Sequence, residues 1–322
     1  MSNAAADGSA EQPTDHSIDH PAAAVAHRVW LVDSSLYVFR AWQGVAAEID
    51  ASGRESQSVR GYAAWLAGLL HHARPRLCAC TFDSHDGQGR RRQLSAAYKA
   101  GRKPMSPTLF EQMERCRGVA RAFGVPVHTG GDLEADDLIG HFASLAHAAD
   151  HPVTIVSGDK DLAQYLHGDD AWWDVGRRDA LDVRGVTRRF GVRPAQIPDW
   201  LALAGDASDG IQGIPGVGEA TAARLLKRFG DLDGLFAEPW SVANMGFRGA
   251  PHVAALLPEW ESRVRASRVL TGRLEAPSLP DSLTALATRA RPVEDIVDDL
   301  TALGIDIEDA TRHARRVATL AP

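Results

Sequence analysis

Three short apolar runs in this chain each close on an aspartate. Val29-Trp30-Leu31-Val32 ends at Asp33, Leu77-Cys78-Ala79-Cys80-Thr81-Phe82 at Asp83, and Val153-Thr154-Ile155-Val156, through Ser157-Gly158, at Asp159. One aspartate after such a run is ordinarily a turn or capping residue, but three in succession suggest a shared task. More acids gather nearby in sequence. Glu134-Ala135-Asp136-Asp137 opens an apolar stretch through Leu138, Ile139, Phe142 and Leu145; Asp161 follows Asp159 by two; and Asp206 and Asp209 share the loop Gly205-Asp206-Ala207-Ser208-Asp209-Gly210. One acid at the start of a helix serves its dipole, whereas three in four positions repel one another. Crowded together, these nine carboxylates would force protonation on each other unless cations shared the site. Oxygen donors without Cys or His suit Mg²⁺ or Mn²⁺ rather than zinc. A pair of such ions roughly 4 Å apart is a known device for in-line cleavage of phosphodiesters.

The elements that must position these acids follow from the same runs. Continuous apolar segments of this length, separated by helical patterns, read as buried parallel strands of an α/β sheet. Residues 58–72 carry apolar positions suited to packing on that sheet. A second helix begins at Ser106 with Pro107 in its first turn, sets Leu109, Met113, Cys116, Ala120 and Phe123 on one stripe, and stops at Gly124. Ligands of an open parallel sheet bind beyond the carboxyl ends of the strands, so Asp33, Asp83 and Asp159 are expected on one rim.

Bulk properties narrow the function classes. The chain has 322 residues, 44% hydrophobic and 24% charged, enough for one large domain and a smaller one. No stretch approaches the roughly 18 apolar residues of a membrane span. Cys78, Cys80 and Cys116 are too few for a disulfide framework and have no zinc spacing; Cys78 and Cys80 read as core residues of a strand. Residues 1–26 lack a basic segment followed by an apolar one, which argues for a disordered tail rather than a signal peptide and for a cytoplasmic protein. The net charge of −7 looks unfavourable for binding nucleic acid, yet four of the acids (Asp7, Glu11, Asp15, Asp19) lie in that tail, which has no base. Between Gly87 and Phe110, moreover, stand Arg90, Arg91, Arg92, Lys99, Arg102 and Lys103 with no acid among them. Local potential, not the global sum, governs attraction to phosphate.

With these residues laid out, the chain resembles the bacterial and phage 5′-nuclease family, flap endonuclease-like proteins that occur alone or as the N-terminal part of DNA polymerase I. The matching pieces are Leu31-Val32-Asp33 with Phe39-Arg40, Thr81-Phe82-Asp83, Tyr98-Lys99-Ala100-Gly101-Arg102-Lys103-Pro104, Glu134-Ala135-Asp136-Asp137-Leu138, Ser157-Gly158-Asp159-Lys160-Asp161-Leu162 and Gly205-Asp206-Ala207-Ser208-Asp209-Gly210. They occur in family order across residues 29–230. The resemblance implies a PIN-like or resolvase-like parallel sheet flanked by helices, a helical arch over the active site and a helix-hairpin-helix module that grips duplex DNA. The expected organisation is a tail over 1–26, a nuclease domain over 27–195 with its arch at about 84–110, and a helical DNA-binding region over 196–322.

Carried over residue by residue, the resemblance implies a first metal cluster of Asp33, Asp83, Glu134 and Asp136, and a second of Asp137, Asp159, Asp161 and Asp209 with Asp206 close behind. Two Mg²⁺ or Mn²⁺ ions would serve hydrolysis at DNA 5′ flaps, nicks or single-stranded 5′ ends. Lys99 and Arg102 resemble basic residues at the foot of the arch that stabilise the transition state, and Tyr98 a platform for a terminal base. Arg40, Arg90, Arg91, Arg92 and Lys103 would add DNA contacts. The hairpin Gly213-Ile214-Pro215-Gly216-Val217-Gly218 would approach phosphates through its glycines and the following amides, with Arg224, Lys227 and Arg228 behind it. In the family this hairpin often holds K⁺ through backbone carbonyls, here those of Ile214 and Val217. Gly210 stands where the family usually has Asn, Gln212 where Pro is common, and Ala220 where Lys is frequent, which bears on duplex affinity more than on chemistry. The segment Gly87–Thr108 has few apolar anchors and is expected to be poorly ordered without DNA. The protein is expected to be a monomer that works beside replication or repair proteins. Two other readings are a non-catalytic factor that binds branched DNA and a PIN-type ribonuclease. Retention of every acid counts against the first; the hairpin and the Asp206/Asp209 loop count against the second.

Overall fold

The computed structural model describes residues 27–44, 46–84, 89–176, 179–276 and 278–318. The expected tail and the arch residues 85–88 lie outside the described residues. Strand β1 (Val29–Asp33) is buried along its whole length, as its unbroken apolar run requires, and passes directly into α1 (Ser34–Gly44). Then come α2 (Gln57–Ala73), β2 (Leu77–Phe82), the one-turn α3 (Arg90–Leu94) and α4 (Pro107–Ala122). The expected start of α4 holds: the Ser106 hydroxyl accepts from the Leu109 amide at 3.1 Å, and Pro107 occupies the first turn. β3 (Val127–Thr129), α5 (Ala135–Ala148), β4 (Val153–Val156), β5 (Ala171–Trp173), β6 (Leu181–Asp182) and α6 (Val183–Phe190) follow.

The described strands form one six-stranded sheet in the order β3-β2-β1-β4-β5-β6, parallel except for the final β5–β6 pair. Register sets Asp33 opposite Thr81 and Val32 opposite Val156. Asp33, Asp83 and Asp159 therefore emerge at the same end of adjacent strands, and the α/β architecture read from the sequence is the one found.

The second half is helical: α7 (Ile197–Ala204), a short β7 (Gly205–Asp206) paired with β8 (Ile211–Gln212), then α8 (Glu219–Phe229), α9 (Leu232–Ala237), α10 (Ala250–Thr271), α11 (Val293–Ala302) and α12 (Ile307–Val317). Two cores flank the sheet. One unites Leu31, Ile155, Leu138 and Phe142 with Trp200, Leu225 and Leu257, so α7, α8 and α10 share a core with the sheet. The other joins Val32, Cys80, Leu66 and Val119 to Ile296, Leu300 and Ala314, so α11 and α12 return to the opposite face, against α2 and α4. The expected division at 195/196 is thus not a division between cores: apolar stripes on both sides of it need the same sheet faces for burial. Among the described residues, no helix is long and apolar enough to cross a membrane.

Candidate active site

The acid rim is built by its own hydrogen bonds. The Ser157 hydroxyl donates to Asp33 Oδ2 at 2.7 Å and accepts from the Asp159 amide at 3.0 Å, linking the ends of β1 and β4. Asp83 Oδ1 accepts from the Ala135 amide at 2.9 Å, tying the end of β2 to the start of α5, the helix that carries Asp136. Asp159 Oδ1 accepts from the Asp161 amide at 2.9 Å, and Asp206 turns its loop by accepting from Ser208 and from the Asp209 amide. The carboxyls feel one another. Burial, then the charge on Asp83, pushes Asp33 up to about 7. Burial followed by Asp159 and Asp206 takes Asp161 to about 8, and burial with Asp159 and Asp33 holds Asp136 well above the usual range. Asp159 reaches the surface, yet poor hydration among its neighbours raises it too, with Asp209 and Asp206 adding to the effect. Asp33, Asp83, Asp136, Asp159, Asp161, Asp206 and Asp209 therefore share one field.

Arch residues lie across that field. The Tyr98 hydroxyl is 3.0 Å from Glu134 Oε2 and 3.2 Å from Asp209 Oδ2. Lys99 Nζ is 2.9 Å from Glu134 and 3.9 Å from Asp209, and Arg102 is 2.7 Å from Asp209. Burial favours the neutral form of Glu134, but Lys99 and Arg91 outweigh it and hold that carboxyl below its ordinary value. Lys99 keeps a left-handed φ of 50°, rare outside glycine, while its amide donates to the Asp209 carbonyl at 2.9 Å. The Gly210 departure has a cause here. Its φ is +69°, and a side chain there would run into the Ala97 carbonyl of the arch, so the loop and the arch can pack only around glycine.

Four expectations are corrected. Asp137 does not join the rim: its fully buried carboxylate receives Arg91 at 2.6 and 2.8 Å and the amides of Leu274 and Glu134 at 2.9 and 3.2 Å. Arg91 is no DNA contact in this conformation, for its guanidinium is buried and also donates to the carbonyls of Leu270 and Gly272. Tyr98, 3% exposed, has no free ring face on which a base could stack. Residues 89–102 are not a loose hoop: Arg91, Tyr98 and Lys99 pin them, and Arg90 pairs with Asp132 at 2.9 Å and donates to the Glu275 carbonyl. A run of like charges with few apolar anchors reads as loose in sequence because its carboxylate partners lie far along the chain. Arg92 and Lys103 are exposed, Arg92 Nε donating to the Tyr98 carbonyl at 3.3 Å.

The hairpin is a tight turn. Val217 donates to the Ile214 carbonyl at 2.9 Å around Pro215 and Gly216, whose φ is +81°. Ile214 and Val217 bury their side chains, whereas Arg224, Lys227 and Arg228 on α8 are exposed, and no carboxylate among the described residues pairs with them. Gly213, Gly216 and Gly218 line this turn up to the start of α8.

Sequence reasoning passed over Asp174. The run Ala171-Trp172-Trp173 ends in it as the other strands end in their aspartates, so the same pattern was there to be read. Asp174 forms a two-pronged pair with Arg40, which lies 5.1 Å over the Tyr37 ring. Gly158 makes this possible, since a side chain there would strike the Arg40 guanidinium. Ser157, which fixes two acids at once, was also missed.

Among the described residues, no three Asp, Glu, His or Cys side chains already stand in the arrangement of a closed metal site; Lys99 and Arg102 lie against the acids instead. The donor set nevertheless fits a hard divalent cation. It is all oxygen, several of its carboxyls are driven toward protonation by burial and then by one another's charge, and Asp161 Oδ1 is buried with no hydrogen-bond partner.

An acid-rimmed parallel sheet sharing its core with a helical hairpin module defines a resolvase-like nuclease architecture. Residues 28–191 match the family model described as the 5′-3′ exonuclease N-terminal resolvase-like domain, and residues 192–292 match its C-terminal SAM fold. The chain belongs to the 5′-3′ exonuclease family. It is 35% identical over 219 residues to the flap endonuclease Xni of Serratia proteamaculans, covering 67% of this chain and 87% of that one. It is 39% identical over 230 residues to DNA polymerase I of Pseudomonas aeruginosa, covering 71% of this chain. The chain spans about a quarter of the length of the DNA polymerase I relatives it matches, 25% in that case. Its fold is similar to that of T5 5′-exonuclease solved with divalent zinc ions (TM-score 0.62, 17% identity, 90% of this chain and 99% of that one). A further likeness is to the catalytic core of Rad2 in complex with DNA substrate (TM-score 0.61, 14% identity, 89% of this chain and 91% of that one).

Proposed function

We propose that the protein is a divalent-metal-dependent 5′-3′ exonuclease or flap endonuclease acting on DNA. The observation that carries this reading is the shared electrostatic field of the rim acids, with arch cations within reach of the same carboxylates. Asp33, Asp83, Glu134 and Asp136 would hold one ion; Asp159, Asp161 and Asp209, with Asp206 behind them, would hold a second. Bound there, the ions would supply the positive charge and acidified water that phosphodiester hydrolysis draws on. The chain's own part is positional. Ser157 fixes Asp33, and Asp83 anchors the helix that bears Asp136. Lys99 and Arg102 can turn from Glu134 and Asp209 to a scissile phosphate and stabilise its developing charge. The hairpin glycines and the cations of α8 would hold the duplex phosphates, with K⁺ at the Ile214 and Val217 carbonyls as a further aid.

One assay tests the reading: cleavage of a 5′ flap, a nicked duplex, single-stranded DNA and an RNA flap, each with Mg²⁺ and with EDTA. Cleavage of the DNA flap or 5′ ends only with Mg²⁺ is the expected result. Tight binding of the flap without cleavage under either condition would point to a non-catalytic branched-DNA factor, and preference for the RNA flap to a ribonuclease.

A further inference from the structure

Beside the rim lies a cleft of about 460 Å³ with one wall that the reading above leaves without a task. Asp159, Asp161, Asp206 and Asp209 line it together with Arg189 and Phe190. The Arg189 guanidinium lies over the Phe190 ring, 5.5 Å from its centre. That ring is itself braced by Trp172 and Trp200 at 6.0 and 5.7 Å. Arg189 is thus an exposed cation on a fixed aromatic platform.

Its lack of a carboxylate partner among the described residues is the telling feature. Four carboxylates share the cleft, yet no carboxylate among the described residues forms an ion pair with Arg189. Lys160, in the same cleft, is 3.7 Å from Asp206 and 3.4 Å from Glu219. A basic last turn often answers a helix dipole, but Arg188 does that equally well, and the dipole does not explain a guanidinium laid on an aromatic ring at the mouth of an acid-lined cleft. An unpaired guanidinium with planar donors suits a phosphate oxygen pair.

Topology says which phosphate. The arch follows β2 and leans on Asp132 beyond β3, while α6 follows β6 at the far edge of the sheet. The strands β2 and β6 stand roughly 19 Å apart at the usual strand spacing, with the acids between them. We propose that Arg189 binds a backbone phosphate of the DNA strand lying across the acids, on the side of the scissile bond away from the arch; the inference rests on the nuclease reading.

The test is binding of a fluorescent flap DNA, with Ca²⁺ in place of Mg²⁺, to the wild type, Arg189→Gln and Arg188→Gln. Arg189→Gln should weaken binding roughly ten-fold and lower the logarithmic salt slope by about 1, while Arg188→Gln changes little. Replacing single phosphates by neutral methylphosphonates should then reveal one position whose loss weakens the wild type but not Arg189→Gln. Equal effects of the two substitutions, or no such position, would overturn the inference while leaving the nuclease reading intact. Failure of the wild type to bind the flap at all would remove both. Thermal unfolding of each variant guards against misfolding; Arg189→Lys, which keeps the charge but not the planar donors, should fall between wild type and Arg189→Gln.

Discussion

The base of the arch and helix α8 both carry clusters of cations, six between Gly87 and Phe110 and three on α8, and the fold treats them in opposite ways. In the arch, Arg91 is committed to Asp137, Lys99 to Glu134, Arg102 to Asp209 and Arg90 to Asp132. On α8, Arg224, Lys227 and Arg228 face solvent without carboxylate partners among the described residues. Cations beside an acid cluster begin paired and must exchange partners before they can act on a phosphate. Cations on the hairpin helix are available to an approaching duplex from the start. On the proposed function, chemistry and grip would thus fall to different sets of bases, and the following outcomes sharpen or break that division.

The acids should give the largest effect. Asp159→Asn and Asp209→Asn should each lower turnover on a flap substrate by orders of magnitude with little change in DNA affinity, because both sit in the shared field of the rim rather than on the gripping surface. Wild-type turnover in both variants would end the two-metal assignment.

Next comes Arg91, whose pair with Asp137 joins the arch, the start of α5 and the segment after α10. Arg91→Met leaves a buried carboxylate uncompensated, at a cost of about 3–5 kcal/mol. Lys227→Ala, on an exposed position, should stay within about 0.5 kcal/mol of wild type. Denaturant titration of the two variants measures the contrast. Equal stabilities would mean that the Arg91 hub is not what holds the arch in place.

Lys99 tests the chemical side directly. Lys99→Ala should reduce the single-turnover rate at saturating DNA by about 10²-fold, the usual cost of losing a donor aimed at transition-state charge. Recovery of the full rate at high DNA concentration would move Lys99 to the gripping set and erase the distinction.

The sheet and its rim were legible because buried parallel strands are unbroken apolar runs, and an acid closing such a run has only the strand's end to occupy. Asp33, Asp83 and Asp159 needed nothing more than that. The same pattern at Trp172-Trp173-Asp174 leads not to the acid cluster but to Arg40, since an aspartate's partner is set by what faces it across the fold. Asp137 illustrates the limit most sharply. It adjoins Asp136 in a four-residue acidic motif, yet helical geometry turns adjacent side chains about 100° apart. Asp136 joins the field of Asp159 and Asp33, whereas Asp137 turns inward to Arg91. The arch reads as poorly anchored for a related reason: its carboxylate partners lie 35 to 107 residues away in sequence. Likewise α11 and α12 carry no chemical motif, and only their apolar stripes, buried against α2 and α4, explain their position.

The smallest effect concerns the salt dependence of binding. Phosphate contacts release counterions, so the logarithm of affinity falls with the logarithm of salt by nearly one for each phosphate neutralised. Lys227 has no carboxylate partner among the described residues, so any phosphate contact it makes should be net. Lys227→Ala should raise the dissociation constant, leave the rate at saturation unchanged and reduce the salt slope by about 1. Arg102 differs: before DNA binds, it lies 2.7 Å from Asp209, and taking up a phosphate exchanges one anion for another. Arg102→Ala should therefore change the slope by clearly less than Lys227→Ala. Titrations of both variants on one flap substrate, over salt from about 50 to 200 mM, compare the two slopes. Equal reductions would show that the arch cations are as free as those of α8, and the division between chemistry and grip would fail at its electrostatic root.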